Sequence, residues 1–406
     1  WLGLERSLAP LEVRLWRDFR WTVNREVLYS IYGPAMRVND EVFAIRYAGI
    51  GEFRQIEQWY RMGRAQNLDE FKDAMRIHAL AMFNTGYGDR DGNIFYAYNA
   101  LLPERAAGHD WSGTVPGNTR DTLWTEYRSF DQLPIVENPK SGFIQNCNSD
   151  PFQTSIGGDN PDESAFSKNY GIEKWMTNRA RRAVELYGSD ESITHDEFFL
   201  YKYDKLYSEK SNLRRQVADF VEAQAGNSVL KKEIDLLRQW NGETTKDNRS
   251  AALVLLTFRP RSNSSKLKTG HERTLEQLQR ASENLVKHFG QIDVEWGKVN
   301  RLVRGDKNLP LGGGPDTLRA IYGRPREDGT LAGQAGDCFF QFVEWDKDGQ
   351  LNAWAMNQFG SSPGNPGSLH HTDQARLFAE EKLRKVPFTR EEVLGKAKQT
   401  YRPSER

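Results

Sequence analysis

Several common kinds of site are missing from this sequence. The 406 residues include only two cysteines, Cys147 and Cys338, and seven histidines. No phosphate-binding loop, serine-nucleophile elbow or cysteine-rich metal motif occurs. His370 and His371 are adjacent and would point apart on a strand, so they do not suggest a zinc site. No short motif therefore names a reaction. The two cysteines are expected to be small buried thiols, and the alternative is that they pair if the fold brings them close.

The sequence also lacks a charge excess and a long apolar run. Lysine plus arginine equals aspartate plus glutamate at 56 each, which gives no electrostatic reason to expect nucleic acid or an anionic membrane as a partner. No apolar run of about 18 residues occurs, so no transmembrane helix is expected. The first residue is Trp1 and no signal segment precedes the fold, so we expect a processed subunit or a fragment.

Aromatic residues are abundant, at 12% of the chain with 11 tryptophans, and they predict a sizeable core. Residues 11–50 favour strands joined by tight turns. Two further hairpins are predicted to turn at Asp91-Gly92 and Asp348-Gly349, because such turns need positive φ. Strands and helices mix without a regular βαβ rhythm, which favours an α+β fold.

Helices are indicated by capping patterns and apolar stripes. Asn67 with Glu70, and Thr194 with Glu197, have the spacing of helix N-terminal caps. Further helices are predicted around Leu213–Val221 and Leu230–Leu237 and over 271–289, 315–322 and 373–384. The apolar run 253–258 predicts a buried strand.

Residues 103–165 form a long stretch rich in Gly, Pro, Asn, Asp and Ser. Long ordered loops in compact domains are usually functional, so binding chemistry is expected here. Residues 166–300 are expected to form a mainly helical insertion.

Four segments, taken in order, resemble the penicillin acylase (penicillin amidase) family of N-terminal nucleophile hydrolases, which includes acyl-homoserine-lactone acylases. They read YGDRDGNIFY, NPKSGFIQNCNSDPF, VNRLVRGDKNLPLGGGPDTLRA and FGSSPGNPGSLHHTDQ. The resemblance implies a four-layer αββα fold. It also implies that residues 1–406 are a catalytic β subunit truncated at its N-terminus, without the nucleophile strand.

The family's chemistry implies hydrolysis of a linear amide by a serine at the N-terminus of the catalytic subunit, upstream of this chain. The serine's own α-amine acts as the base, since it titrates at about 7.7–8.0. An N-acyl-homoserine lactone is the favoured substrate class and a β-lactam side chain the second. A small α subunit from the same precursor, no catalytic cofactor, and a periplasmic or secreted location are also implied.

Two polar residues match the family's catalytic positions. Asn148 matches the side-chain amide that stabilises the oxyanion, with Asn146 as its nearest rival. Arg179 matches the arginine that orients the site, where a fixed positive charge would disfavour protonation of the α-amine. Arg181 and Arg182 compete for that role. Alternatively, Asn148 caps a turn and Arg179 is a solvated helix residue.

Phe83 aligns with an acyl-pocket position, and Trp59 and Tyr60 are weaker candidates for the same pocket. The alternative for Phe83 is ordinary core packing. Asp159 lies near a calcium-binding aspartate of the family, so the resemblance implies a structural calcium ion whose other ligands would lie in the segment that is missing upstream. Leu369 departs from the family, where many members carry proline.

The main alternative to an enzyme is a non-catalytic protein that keeps the scaffold and binds a hydrophobic ligand in an aromatic cleft. A glycan-binding module is a further alternative, and it predicts exposed coplanar rings.

Overall fold

The computed structural model describes residues 3–260, 270–402 and 404 of the chain. They divide into two units, the first formed by Trp1–Asn146 with Asp150–Lys174 and the second by Cys147–Ser149 with Trp175–Arg406. Each unit has its own apolar core. Within the described ranges, every helix is too short or too polar to cross a lipid bilayer.

The first unit contains two sheets and two helices. Its strands are β1 (Leu4–Trp16), β2 (Phe19–Ser30), β3 (Gly33–Val38), β4 (Glu41–Ala44), β5 (Met82–Gly88), β6 (Ile94–Ala100) and β7 (Ile135–Glu137), and its helices are α1 (Gln55–Met62) and α2 (Leu68–Met75). One sheet has the order β1-β2-β3-β4 and the other β5-β6-β7, and all neighbours are antiparallel.

The hairpin predicted at Asp91-Gly92 is confirmed by β5 and β6. Gly92 has φ +87°, which a residue with a Cβ rarely adopts. Asp89 secures the turn, because its Oδ1 accepts hydrogen bonds from the backbone amides of Asp91 and Asn93 at 3.0 Å each. Local turn chemistry therefore sets the register of these two strands.

Helix α2 begins where its cap was predicted. The side chain of Asn67 accepts a hydrogen bond from the backbone amide of Glu70 at 2.9 Å, which satisfies one free donor of the first turn. Phe71 and Met75 project from α2 into the core of the first unit, where they pack with Phe95 of β6.

The loop over 103–165 contains one short strand, β7, and a series of single 3₁₀ turns among its described residues. Side chains close these turns: Asp150 and Asp162, for example, each accept a hydrogen bond from a backbone amide two residues ahead. The loop thus has defined local structure without long regular elements.

The second unit contains most of the helices. They are α3 (Asn178–Gly188), α4 (His195–Lys202), α5 (Asn212–Ala223), α6 (Lys231–Arg238), α7 (Ala251–Phe258), α8 (His271–Phe289), α9 (Trp296–Val299), α10 (Ala375–Ala379) and α11 (Arg390–Lys396). Its strands are β8 (Asn300–Arg304), β9 (Lys307–Pro310), β10 (Ile321–Pro325), β11 (Leu331–Gly336), β12 (Phe339–Trp345), β13 (Leu351–Asn357) and β14 (Arg384–Lys385).

These strands form two sheets, with the orders β10-β11-β8-β9 and β12-β13-β14. Only β8 and β11 pair in parallel among the described strands. The hairpin predicted at Asp348-Gly349 is confirmed by β12 and β13, and Thr194 and Glu197 form the predicted capping box of α4. Helices α5 to α8 pack around a shared apolar core, and α8 spans the predicted residues.

Two element predictions are wrong, and a third is correct in kind but too long. The run 253–258 belongs to α7 and is not a strand; it is buried on nearly all sides, so its continuous apolarity carries no periodic signal. Residues 315–320 form turns that lead into β10 instead of a helix. Within 373–384, only Ala375–Ala379 is helical. Of the expected helical insertion 166–300, residues 261–269 lie outside the described residues.

Part of the aromatic content does not form core in the described residues. Trp16 and Trp21, on the hairpin of β1 and β2, are both largely exposed. The expectation of two buried thiols is likewise wrong for one of them, because both cysteines are free, Cys147 is half-buried and Cys338 is exposed.

Candidate active site

Asn148 belongs to a three-residue segment that the second unit holds by backbone contacts. The hydroxyl of Thr177 donates to the carbonyl of Cys147 at 3.0 Å, and the indole N–H of Trp175 donates to the carbonyl of Asn148 at 2.9 Å. Asn148 itself has φ +58°, a conformation that asparagine tolerates better than most residues. Two side chains, those of Trp175 and Thr177, therefore hold the backbone of this segment next to the start of α3.

Thr177 also starts helix α3. Its hydroxyl oxygen accepts a hydrogen bond from the backbone amide of Ala180 at 3.1 Å, as an N-terminal cap does. One hydroxyl group thus joins the start of α3 to the segment that carries Asn148. Arg179 lies in the first turn of this helix, which brings it beside Asn148.

The two residues form a direct side-chain hydrogen bond. Nη2 of Arg179 donates to Oδ1 of Asn148 at 2.9 Å. A guanidinium can only donate, so the amide atom that faces it must be the oxygen. The Nδ2 group of Asn148 is therefore the end that points away from Arg179. Asn148 is exposed among the described residues.

Arg179 is in turn held by Asp316. Nε of Arg179 lies 3.4 Å from Oδ1 of Asp316, and both side chains are largely buried. The other carboxylate oxygen accepts the backbone N–H of Asn178 at 2.8 Å, and the side-chain amide of Asn178 donates to the carbonyl of Asp316 at 2.8 Å. A chain of contacts therefore runs from Asp316 through Arg179 to Asn148.

Burial dominates the ionisation of Asp316. It raises the pKa of this carboxyl to about 6, although the N–H of Asn178 and the charge of Arg179 act in the opposite direction. Asp316 is thus ionised at neutral pH and protonated in mild acid. Burial also raises the pKa of the Cys147 thiol, so this cysteine is not an activated nucleophile.

Asp316 was missed by sequence reasoning, although it lies in the quoted stretch GGGPDTLRA. The preceding glycines were a usable signal. Gly313 has φ +84°, and a Cβ at this position would lie 2.2 Å from the carbonyl oxygen of Arg319, so only glycine fits. Its own carbonyl accepts the indole N–H of Trp296 at 2.7 Å, and the loop is thereby fixed.

The rival residues have other partners. Arg182 pairs with Asp204 at 2.9 Å and with Glu185 at 2.9 Å. Asn146, in the first unit, donates from Nδ2 to the hydroxyl of Tyr96 at 3.4 Å. Arg181 lines a cavity of about 20 Å³ that also borders Asp316, which is room for about one water molecule.

The candidate pocket residues lie in the first unit. Trp59 and Phe83 meet edge to face, with ring centroids 5.8 Å apart, and Tyr60 follows Trp59 in α1. Their exposed fractions are 49%, 54% and 63%, respectively. Phe83 is thus not a core residue in the described part of the chain.

Gln58 anchors this aromatic group and was also missed by sequence reasoning. It is the one fully buried residue of α1, and its Oε1 accepts the backbone amides of Ala79 and Leu80 at 2.7 and 3.0 Å. These bonds tie α1 to the segment that leads into β5, which carries Phe83. No local pattern distinguishes Gln58 from the other polar residues of the helix.

Asp159 accepts a hydrogen bond from the backbone amide of Ser141 at 2.8 Å. Within the described ranges, no three His, Cys, Asp or Glu side chains converge as a metal site would require.

The chain also matches a known protein family. The model of the family described as penicillin amidase matches residues 9–395. The chain belongs to the penicillin amidase family. The resemblance inferred from four sequence segments is thereby confirmed.

Similar members of the family are named acylases. The acyl-homoserine lactone acylase PvdQ of Pseudomonas fluorescens Pf0-1 is 22% identical, over 97% of this chain and 56% of its own length. The PvdQ of strain Pf-5 is 30% identical, over 91% of this chain and 54% of its length. Penicillin G acylase of Escherichia coli is 35% identical, but over only 25% of this chain and 12% of its own.

The chain thus spans about half the length of the PvdQ relatives it matches. A solved structure of thermostable penicillin G acylase from Alcaligenes faecalis superposes with a TM-score of 0.61 at 16% identity, covering 98% of this chain and 81% of that one. This likeness confirms the predicted α+β fold class of the N-terminal nucleophile hydrolases.

Proposed function

We propose that the protein containing this chain hydrolyses linear amides and releases an acyl chain from its amine, with Asn148 as a donor to the oxyanion. The observation that carries the proposal is the hydrogen bond from Arg179 to Oδ1 of Asn148. It fixes the orientation of the amide, so the Nδ2 donor is preorganised. Family membership and the names of the relatives support the reaction class.

The proposed reaction uses a serine at the N-terminus of the mature catalytic subunit. Its hydroxyl attacks the amide carbonyl while its α-amine takes the proton, and negative charge develops on the carbonyl oxygen. The Nδ2 group of Asn148 donates to that oxygen. The α-ammonium then protonates the departing amine, and water hydrolyses the acyl ester to regenerate serine and release a carboxylic acid.

Asn148 suits this role on physical grounds. A neutral amide donates a hydrogen bond without adding charge. This hydrogen bond becomes stronger in the transition state, because its acceptor becomes anionic. Removing one such donor typically raises the barrier by about 2.7–4 kcal/mol. In this proposal Arg179 is a positioning residue, since its contact is with Asn148.

An N-acyl-homoserine lactone is the proposed substrate class, and a β-lactam amide the second. The names of the PvdQ relatives favour the first, and the shorter match to penicillin G acylase supports the second. The pocket residues of the proposal are Phe83, Trp59 and Tyr60, which offer an apolar surface for an acyl chain. A small α subunit, and export to the periplasm or the medium, complete the proposal by family membership.

The test begins with the mature N-terminus. Sequencing the terminus of the catalytic subunit, purified from cells that express the whole protein, should give serine, or a threonine or cysteine in its place. The purified protein should then release acid from an acyl-homoserine lactone. Any other terminal residue, together with no amide hydrolysis, would refute the proposal.

A binding protein on the same scaffold is the alternative, and the exposed aromatic group at Phe83 is compatible with it. That alternative predicts binding of an apolar ligand without turnover. The glycan-binding version has less support, because Trp59 and Phe83 meet at 82° and do not form a flat platform.

A further inference from the structure

The first unit contains a cavity of about 840 Å³ that the proposed reaction does not use. Strands β3 and β4 form part of its wall, and residues 111–124 form another part. Its lining includes two arginines, Arg46 and Arg105, and two tryptophans, Trp111 and Trp124. The volume lies within the range of small-molecule sites.

Neither Arg46 nor Arg105 has a carboxylate within salt-bridge distance among the described residues, whereas many arginines of the chain do. Both are instead tied to backbone carbonyls. Nε of Arg46 donates to the carbonyl of Trp124 at 2.9 Å, and Nη1 of Arg105 donates to that of Asn169 at 3.0 Å. Carbonyl contacts fix the positions of the two guanidiniums without neutralising their charges.

Arg105 has an unsatisfied donor and a charge without a counter-ion among the described residues. Its Nε is shielded from solvent and has no hydrogen-bond partner among the described residues, and burial lowers its pKa. A half-buried cation without a counter-ion is less favourable than a fully solvated one. The neighbouring Gly171 leaves room for the guanidinium, since a Cβ there would lie 3.0 Å from Nη1.

The two guanidiniums share one indole ring. Arg46 lies 4.5 Å and Arg105 5.8 Å from the ring centroid of Trp124, and Arg105 also lies 5.3 Å from that of Trp111. Cation–π contacts hold the guanidiniums against the rings but leave their charges in place. The cavity wall thus combines positive charge with flat apolar surface.

The other charged residues of the lining do not cancel this charge. Arg37 is exposed and lies 3.8 Å from Glu26. Asp40 and Glu41 also line the cavity, but both are exposed at the turn between β3 and β4, where water screens them. The half-buried positive charge belongs to Arg46 and Arg105.

We propose that this cavity binds an organic carboxylate, whose anionic group pairs with Arg105 and Arg46 and whose apolar body lies against the half-buried ring of Trp111. A planar carboxylate matches the planar fork of a guanidinium. The indole ring of Trp111 favours a flat or aliphatic body over a compact inorganic ion. The inference does not depend on the proposed amide hydrolysis.

The test measures binding of 2-naphthoate to the complete protein by titration calorimetry, beside its neutral analogue 2-naphthalenemethanol and inorganic phosphate. The naphthoate should saturate one site and bind about tenfold or more tightly than either comparison compound, because only it offers both charge and apolar surface. Rising salt should weaken its binding.

Variants assign the binding to this cavity. Arg105→Gln should weaken naphthoate binding about tenfold or more, and Arg105→Lys should weaken it less because the charge remains. Arg128→Gln is the matched control, since Arg128 also faces a ring in this unit, that of Tyr170 at 4.9 Å, but has Glu104 at 3.6 Å as its counter-ion. It should leave the affinity unchanged.

Trp111→Ala is a second variant for the case in which Arg105→Gln does not fold. It removes a ring from the cavity but no charge, and it should also weaken naphthoate binding. Three results would overturn the proposal: equal affinity for the acid and its neutral analogue, phosphate binding as tight as naphthoate binding, or naphthoate binding that neither folded variant alters.

Discussion

Arg179 donates from Nη2 to Oδ1 of Asn148 at 2.9 Å, while its Nε lies 3.4 Å from the carboxylate of Asp316. One side chain thus connects the proposed oxyanion donor to a largely buried acid. Because Arg179 reaches its two neighbours through different nitrogens, its planar shape matters as well as its charge.

The first prediction concerns that shape. In the complete protein, Arg179→Gln should lower kcat/KM for amide hydrolysis about tenfold to a hundredfold, mostly through kcat, because the Asn148 amide loses its fixed orientation. Arg179→Lys should recover only part of the loss, since a single ammonium does not reproduce the fork. Arg181→Gln, on the same helix, is the control and should retain activity. An equal loss in the Arg181 variant would contradict the assignment.

The second prediction follows from the pKa of Asp316, which is about 6 in the folded protein against an ordinary value of 3.8. Because the folded-state value is the higher one, this group's stabilisation is fully present below about pH 4 and is lost as the pH rises to about 6. The free energy of unfolding of the native protein, relative to Asp316→Asn, should therefore fall by about 3 kcal/mol across that window.

Denaturant unfolding at a series of pH values measures the difference in unfolding free energy between the native protein and Asp316→Asn. A difference that does not change between about pH 4 and pH 6.5 would contradict the buried ionisation.

The pH profile of kcat should also change. Protonation of Asp316 below about pH 6 removes the charged partner of Arg179, so the native enzyme should lose activity there, whereas Asp316→Asn should lack this step.

The third prediction concerns Gln58. Replacing it with leucine leaves the buried amides of Ala79 and Leu80 without their acceptor, and each unsatisfied buried amide costs about 1–3 kcal/mol. The free energy of unfolding should fall by about 2 kcal/mol or more. Gln66→Leu, an exposed change near α2, should alter it by less than about 0.5 kcal/mol. If the two substitutions lower the free energy of unfolding equally, Gln58 does not tie α1 to the segment before β5.

The fourth prediction separates substrate binding from packing at Phe83. Because the ring is 54% exposed, Phe83→Ala should change stability by less than about 1 kcal/mol. It should raise KM for a long-chain acyl substrate about fivefold or more, through lost apolar contact. Phe388→Ala, at another exposed phenylalanine, should leave KM unchanged. A KM that is insensitive to Phe83 would exclude it from the acyl pocket.

Local chemistry made part of the fold predictable. The turn at Asp91-Gly92 and the caps at Asn67 and Thr194 depend on residues within a few positions of one another, and all three are confirmed. The run 253–258 shows the limit. A segment buried on nearly all sides has no polar face, so its sequence cannot distinguish a strand from a helix.

The candidate site, like the fold, was only partly predictable from the sequence. Asn148 and Arg179 were proposed because motifs that resemble the family carry them, and the structure brings the two side chains into contact. Asp316 was missed because its contact with Arg179 spans 137 residues of sequence, and no periodicity reports such a pairing. Gln58 was missed for a related reason: its burial depends on how α1 packs, which its composition does not determine.

The most direct test of the central claim is kcat/KM for amide hydrolysis by the complete protein with Asn148→Ala, beside the native enzyme and at equal amounts of mature subunit. The account predicts a loss of about a hundredfold to a thousandfold, because one oxyanion donor is removed. Alanine is strained by about 1–2 kcal/mol at the positive φ of Asn148, so thermal unfolding should shift down by only a few degrees. Hydrolysis at the native rate by a correctly processed Asn148→Ala protein would contradict it.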